Sequence, residues 1–157
     1  MPAHPSSHDI EDTDMAEQIQ QLAFRSDAAT ASESLGGLLD ILSGAQKRNR
    51  EMDLTGAIAV SGSRYFQVLE GDEDAIDDTL ARIEADPRHQ NVEVVARRPV
   101  THRSFGAWSL ASPTMLPSLK LQIDLAISAC DEDCDYAIAL LRSVVMNQHL
   151  NGRLLAA

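Results

Sequence analysis

The apolar positions change period several times along the chain. Ile19, Leu22 and Phe24 are mixed with Gln and Arg in a short run that predicts a strand. Leu35, Leu38, Leu39, Leu42 and Ala45 then recur at helical spacing, after cap-forming residues between Thr30 and Ser34. That helix is predicted to run to about Asn49 or Arg50. Leu54 to Val60 is apolar on both faces and reads as a strand covered on both sides. Ser61-Gly62-Ser63 is a hairpin turn leading into a strand from Tyr65 to Leu69. Asp72 is placed to cap a second amphipathic helix carrying Ile76, Leu80 and Ile83, which Asp86-Pro87 stops. Val92 to Val100 makes another strand. Phe105 to Ala111 makes a last, short one that contains the only tryptophan, Trp108.

The order is β-α-β-β-α-β with an additional strand. Two helices separated by a hairpin predict an α+β, ferredoxin-like sheet with both helices on one face. Beyond Pro113 and Pro117, the segments Ser118 to Ala129 and Asp135 to Leu150 read as helices. Their stripes, Leu121 with Leu125 and Ile138 with Leu141 and Val145, need a surface to cover. The free face of the sheet is one candidate and a second subunit the other. Three regions follow: an acidic, flexible leader over residues 1–17, a folded unit over 18–112, and a helical extension over 113–157.

Composition narrows the function classes. The 157 residues are 44% hydrophobic, enough for one domain with a real core. Thirteen Lys and Arg against 24 Asp and Glu give a formal charge of −11, which repels phosphate backbones and argues against a nucleic-acid partner. No apolar run is long enough to predict a membrane helix, and the N-terminus lacks the features of a secretory signal. A cytoplasmic location is expected. Cys130 and Cys134 cannot make a disulfide framework, and without a nearby pair of histidines they read as a reduced structural pair rather than a metal site. The carboxylates at Asp72-Glu73-Asp74 and Asp77-Asp78 fall in the first turns of a helix, where the dipole favours acids, so they are discounted as catalysts.

Two amides carry more interest. Asn49 continues the apolar stripe of the first helix, and Gln67 lies inside an apolar strand between Phe66 and Val68. A buried carboxamide is costly unless its donors and acceptors are satisfied. Each could tie down a neighbouring backbone group. Alternatively, both face a planar heteroaromatic ligand lying between the two helices. The group Arg82, Asp86, Arg88 and His89 at the end of the second helix complements a helix dipole, or holds the polar tail of that ligand.

The segments LAFRS (Leu22–Ser26), ILSGAQKRN (Ile41–Asn49), LTGAIAVSGSRYFQVLEG (Leu54–Gly71), ARIEADPRH (Ala81–His89) and FGAWSL (Phe105–Leu110) resemble the BLUF (blue-light using flavin) photosensors in order and spacing. The resemblance implies a flavin, usually FAD with FMN as an alternative, between the two helices. It implies hydrogen bonds from Asn49 and Gln67 to the isoalloxazine edge and a sandwich of the ring by Ile41 and Ile83. Arg82, Asp86, Arg88 and His89 match positions near the polar side and tail.

One departure stands out. In the family a tyrosine occupies the position of Phe24, and its phenol is the light-driven electron and proton donor. Phenylalanine has neither hydroxyl nor ionisable proton. Leu110 likewise stands where family members often carry methionine after Trp-Ser. The expectation is a flavin-binding, non-enzymatic sensor whose usual photocycle is impaired at Phe24, with Trp108 or Tyr65 as substitute electron donors. Signalling is expected by contact with a downstream protein, and short members of the family often form homo-oligomers. The competing readings are a light-independent interaction module on the same fold and a minor flavin redox protein.

Overall fold

The computed structural model describes residues 18–29 and 35–155, with side chains in the first helix described from residue 39 onward. The leader at 1–17 and the cap residues Thr30 to Ser34 lie outside the described residues. Six elements come first: β1 (Ile19–Ala28), α1 (Leu35–Glu51), β2 (Thr55–Ser61), β3 (Arg64–Gly71), α2 (Glu73–Ala85) and β4 (His89–Val100). The strands form one sheet in the order β2-β3-β1-β4, with every neighbouring pair antiparallel. This is the ferredoxin-like arrangement. Helices α3 (Pro117–Ser128) and α4 (Cys134–Leu150) follow, joined through a 3-10 turn at Ala129–Asp131.

Side chains alternate across the strands, and each face of the sheet receives its own cover. On one face Leu22, Phe24 and Leu69 pack with Leu54 and with Ile76 of α2, while Ile58 and Tyr65 pack with Ile41 and Leu42 of α1. On the other face Ala23, Ala57, Ala59, Phe66 and Val68 meet Ile123, Ala126 and Ile127 of α3 and Ala137, Ile138, Leu141 and Val145 of α4. Three alanines on that face let the helices approach the strands closely. The C-terminal helices therefore cover the sheet, the first of the two surfaces open to them from sequence.

The turn chemistry acts as expected. Gly62 has φ +59° at the first position of the two-residue loop between β2 and β3, a conformation glycine adopts without steric cost. Asp72 caps α2 by accepting the backbone N–H of Asp74 at 3.1 Å. Pro87 keeps Asp86 extended (φ −77°, ψ 120°), so α2 ends at Ala85. Arg88 and His89 consequently lie beyond the helix they were expected to finish, and His89 opens β4 three residues before the predicted start at Val92.

Three expectations need correction. Leu121 and Leu125 are 63% and 64% exposed; the buried stripe of α3 is Ile123, Ala126 and Ile127, a face that counting leucines alone overlooks. On α1, Leu39 points outward while Ile41 and Leu42 are buried. The segment from Phe105 to Ala111 is not a strand. It meets the sheet through a parallel bridge between Ala57 and Ala111, and Pro113 follows shortly afterwards with no N–H to extend a ladder. Backbone bonds from Gly56 N to Trp108 O (3.1 Å), Ile58 N to Ala111 O (2.8 Å) and Ala111 N to Gly56 O (3.0 Å) fasten it to β2. Gly56 is required there, because a Cβ would stand 2.0 Å from the carbonyl oxygen of Val68.

Candidate functional site

The face of the sheet turned toward α1 and α2 carries Phe24 and Ser26 on β1, with Gln67 and Tyr65 on β3. The antiparallel register sets Phe24 opposite Gln67 and Ser26 opposite Tyr65. Between β1 and β4 the register slips at the step from Ala23 to Phe24, whose partners are Ala96 and Val94, so Val95 is left as an extra residue. Such a bulge bends the strand, and it falls beside the residue that faces Gln67.

Above this face, α1 and α2 bound a narrow cleft of about 40 Å³. Ile41 and Asn49 reach it from α1, Arg82 and Ile83 from α2, and Asp86, Arg88 and His89 from the link into β4. Gln67 and Leu110 form its floor and far edge. All eight residues expected to bind the ligand thus converge on one cavity. Trp108 does not: it packs on the opposite face of the sheet, its ring 5.3 Å from that of His149 on α4. Phe24 lies in the core beside the cleft, its ring centroid 6.5 Å from that of His89.

The two amides behave differently. Asn49 donates from Nδ2 to the carbonyl of Ser109 at 2.9 Å, so part of its capacity ties down the 105–112 segment. Gln67 is only 4% exposed and lines the cleft, yet its carboxamide makes no hydrogen bond to any described residue. An amide at a cavity wall that no described residue satisfies is open to a ligand or to water.

Charges at the cleft are partly neutralised. Arg88 grips Asp86 through Nε to both carboxylate oxygens at 3.0 Å and through Nη2 to Oδ2 at 2.6 Å. That guanidinium holds the Asp86 carboxyl below its ordinary range. His89 is buried, shares a 2.9 Å hydrogen bond between Nδ1 and Ser26 Oγ, and lies 4.9 Å from the ring of Tyr65. Burial is the largest influence on its imidazole and pushes its pKa down, so the neutral form is favoured. Arg48 and Arg82 also line the cleft, and neither makes a side-chain hydrogen bond or ion pair among the described residues.

Sequence reasoning missed Ala45, Arg48, Ile58 and Thr79, which complete the lining. A signal existed for two of them. Arg48 follows Ile41 and Ala45 at helical spacing, and Thr79 shares a face with Arg82, Ile83 and Asp86. Gln46, which donates to the carbonyl of Leu110 at 2.9 Å, had no such signal. A larger groove of about 340 Å³ lies between α3 and α4, but Thr114, Asn147, Asn151 and Arg153 on its rim are exposed. The small cleft is the one lined by an amide, Gln67, that makes no hydrogen bond to a described residue.

An apolar slot edged by carboxamides, with guanidinium groups at its mouth, suits a flat heteroaromatic ring with an anionic tail. Known proteins agree with that chemistry. The sequence pattern of BLUF, "sensors of blue-light using FAD", matches residues 19–111. The photoactivated adenylate cyclase subunit alpha of Euglena gracilis is 35% identical over 95 residues, covering 59% of this chain and 9% of that protein. The beta subunit from the same organism is 40% identical over 68 residues, covering 43% of this chain and 8% of its own length. The chain therefore spans less than a tenth of those relatives. In fold it matches the dark-state structure of BlrB, a BLUF protein, with TM-score 0.68 at 24% identity, covering 85% of this chain and 98% of the other. The photo-activated state of BlsA gives the same TM-score at 19% identity, covering 82% and 95%. With the pattern spanning most of the described residues, this chain belongs to the BLUF family of flavin-binding blue-light sensor domains.

Proposed function

We propose that the cleft between α1 and α2 holds the flavin, with FAD as the working cofactor, and that Phe24 impairs the usual light response of this sensor. Supporting the first part is Gln67, 4% exposed and without a hydrogen-bond partner among the described residues, on the floor of a slot whose apolar walls include Ile41 and Ile83. Asn49 keeps its carbonyl and one N–H for the ring edge after bonding Ser109. The cleft is narrow, so a tricyclic ring enters by parting side chains at its mouth. Arg48 and Arg82 carry no side-chain hydrogen bonds to described residues that such movement would break. The same two guanidiniums suit the diphosphate of FAD better than they suit an uncharged tail.

A bound flavin supplies absorption of blue light and, once excited, a strong oxidant. The chain must then supply an electron, a proton and a movable hydrogen-bond partner. Gln67 is the movable partner, its side chain bonded to no described residue. Phe24, which stands opposite it, supplies neither electron nor proton. That pairing carries the reading. Tyr65 is the nearest phenol on the same sheet face and Trp108 lies across the sheet, so the remaining donors are displaced from Gln67's partner position.

Output through the C-terminal helices to a downstream protein has a physical route. Arg25, the residue after Phe24, donates to the carbonyl of Ile127 at 3.0 Å and to Asp131 at 2.8 Å. The test is a light-minus-dark absorption spectrum of the full chain loaded with FAD. Absence of a reversible red shift, with flavin bound, is the expected result. A prompt red shift would overturn the role given to Phe24. Failure to take up FAD, FMN or riboflavin would overturn the assignment of the cleft.

A further inference from the structure

The chain leaving α4 turns back and joins the two layers that cover the sheet. Arg153 N donates to the carbonyl of Gln148 at 2.9 Å and Gly152 N to that of His149 at 3.1 Å, the paired bonds of a Schellman turn. Gly152, at φ +67°, supplies the left-handed residue this turn needs. Leu155 then forms an antiparallel bridge with Ser112: Ser112 N donates to Leu155 O at 2.8 Å, and Leu155 N to Ser112 O at 3.3 Å. Thr114 fastens the same pairing. Its Oγ1 donates to the carbonyl of Arg153 at 3.2 Å, and the Gln148 side chain holds its backbone N–H and carbonyl at 2.6 and 2.7 Å. Leu154 packs against the core under α3 and α4, whereas Leu155 packs against the cluster of Ile41, Leu42, Ile58, Tyr65 and Leu110. Neighbouring side chains of an extended segment point to opposite sides, so two successive leucines reach both layers.

We propose, taking the cleft as the flavin site, that residues 152–155 are a clip on its far edge and that Leu155 is a positioning residue for flavin binding. Ile41, Ile58 and Leu110 of the cluster that Leu155 meets also line the cleft. Leu110 lies two residues before Ser112, the clip's bridge partner. From α1, Gln46 holds the carbonyl of Leu110 and Asn49 that of Ser109, each at 2.9 Å. The segment is thus held by α1 at Ser109 and Leu110 and by the clip at Ser112.

A ring entering the narrow slot pushes on its walls. The clip opposes displacement of Leu110 away from Ile41, so that edge keeps its place as the other side chains part. Coupling of this kind is reciprocal: a clip that favours the flavin-ready edge is itself favoured by bound flavin. Opening of the clip breaks the two bonds of one bridge and leaves the sheet intact, a local event that costs less than unfolding the domain.

FAD titration and amide hydrogen exchange on the full chain test the clip. Leu155→Asp sets a charge against the apolar cluster and is expected to weaken FAD binding by about fivefold or more. Exchange at Ser112 should accelerate in the same variant without flavin. Leu155→Met keeps an apolar side chain of similar volume and should restore both properties. Leu150→Gln, at a residue 79% exposed on the last turn of α4, should change neither. In the unaltered chain, FAD should slow exchange at Leu155. Leu155→Ala repeats the comparison in milder form if the aspartate variant does not fold. Unchanged FAD affinity in the aspartate or alanine variant, or exchange at Leu155 that ignores FAD, would overturn the clip while leaving the cleft assignment standing. An unaltered chain that takes up no flavin would overturn the cleft assignment, and this role of Leu155 with it.

Discussion

Phe24 and Gln67 stand directly opposite one another on β1 and β3, an inert ring beside a carboxamide that has no partner among the described residues. Directly opposed residues in an antiparallel pair hold their Cβ atoms roughly 4.5–5.5 Å apart. A hydroxyl added at the para position of the Phe24 ring would therefore enter the region of the Gln67 amide.

Phe24→Tyr is expected to bring back a reversible red shift under blue light in the FAD-loaded protein. Phe24 is fully buried, so a hydroxyl placed there must find a hydrogen bond or pay for desolvation. Gln67 offers that bond, and unfolding in urea should shift by no more than about 1 kcal/mol. A spectrum that remains unchanged while flavin stays bound would move the fault from Phe24 to another site, with Leu110 the first suspect.

The two amides should separate when each is removed. Asn49→Ala strips the Ser109 carbonyl of its donor and is expected to cost the flavin-free protein about 1–3 kcal/mol. Gln67→Leu breaks no bond to a described residue and keeps the volume, so the flavin-free protein should keep its stability within about 0.5 kcal/mol. Flavin affinity should fall in both variants. Urea unfolding without flavin, paired with a flavin titration, distinguishes a structural amide from one that serves only the ligand.

The different legibility of these residues has a physical basis. Asn49 continues the helical stripe of α1 and Ile83 that of α2, whereas Ile41 entered only through the family resemblance, which is also what set the two helices' residues around one ring. The face of α3 was misread because Leu121 and Leu125 also fit a helical stripe, and only packing against Ala57 and Ala59 selects Ile123, Ala126 and Ile127. Nothing in the local pattern of Phe105 to Ala111 showed that it would meet β2 by one bridge, because part of its hold comes from Asn49 and Gln46, 60 and 64 residues before the carbonyls they bond. Contacts of a side chain with a distant backbone leave no periodic trace. Trp108 read as a candidate beside the flavin for the same reason: which face of the sheet it takes is decided by α4 and His149.

His89 gives the fold a pH dependence of predictable sign. Its folded pKa lies below the ordinary 6.5 because it is buried. The unfolded chain therefore binds the proton more readily, and stability rises with pH through this group. Its full contribution is present above about pH 6.5 and is lost as pH falls toward and through the folded value. His89→Asn should flatten that part of the profile. The Asp86–Arg88 pair adds a separate loss at lower pH, because the folded Asp86 pKa is depressed and protonating it removes the ion pair. Urea unfolding between pH 7.5 and pH 3, compared for the two proteins, resolves the two steps.

Glu70, in the motif that also supplies Gln67, is predicted to serve the fold and not the light response. It is fully buried and accepts four hydrogen bonds: from Ser104 N at 2.6 Å, Phe105 N at 2.7 Å, Gln21 Nε2 at 3.1 Å and Thr55 Oγ1 at 3.3 Å. Two of these donors begin the segment that carries Trp108 and Leu110. Glu70→Gln keeps the shape but replaces one acceptor oxygen by an NH₂ group, which then faces a donor at close range. Loss of one charge-assisted bond and the uncompensated donor should together cost about 3 kcal/mol. Amide hydrogen exchange at Phe105 and Trp108 should accelerate along with it, while residues in β1 and β3 are less affected. If the variant keeps full stability and Phe105 exchanges as before, Glu70 does not hold the segment, and the buried carboxylate must be serving the cleft by some other path.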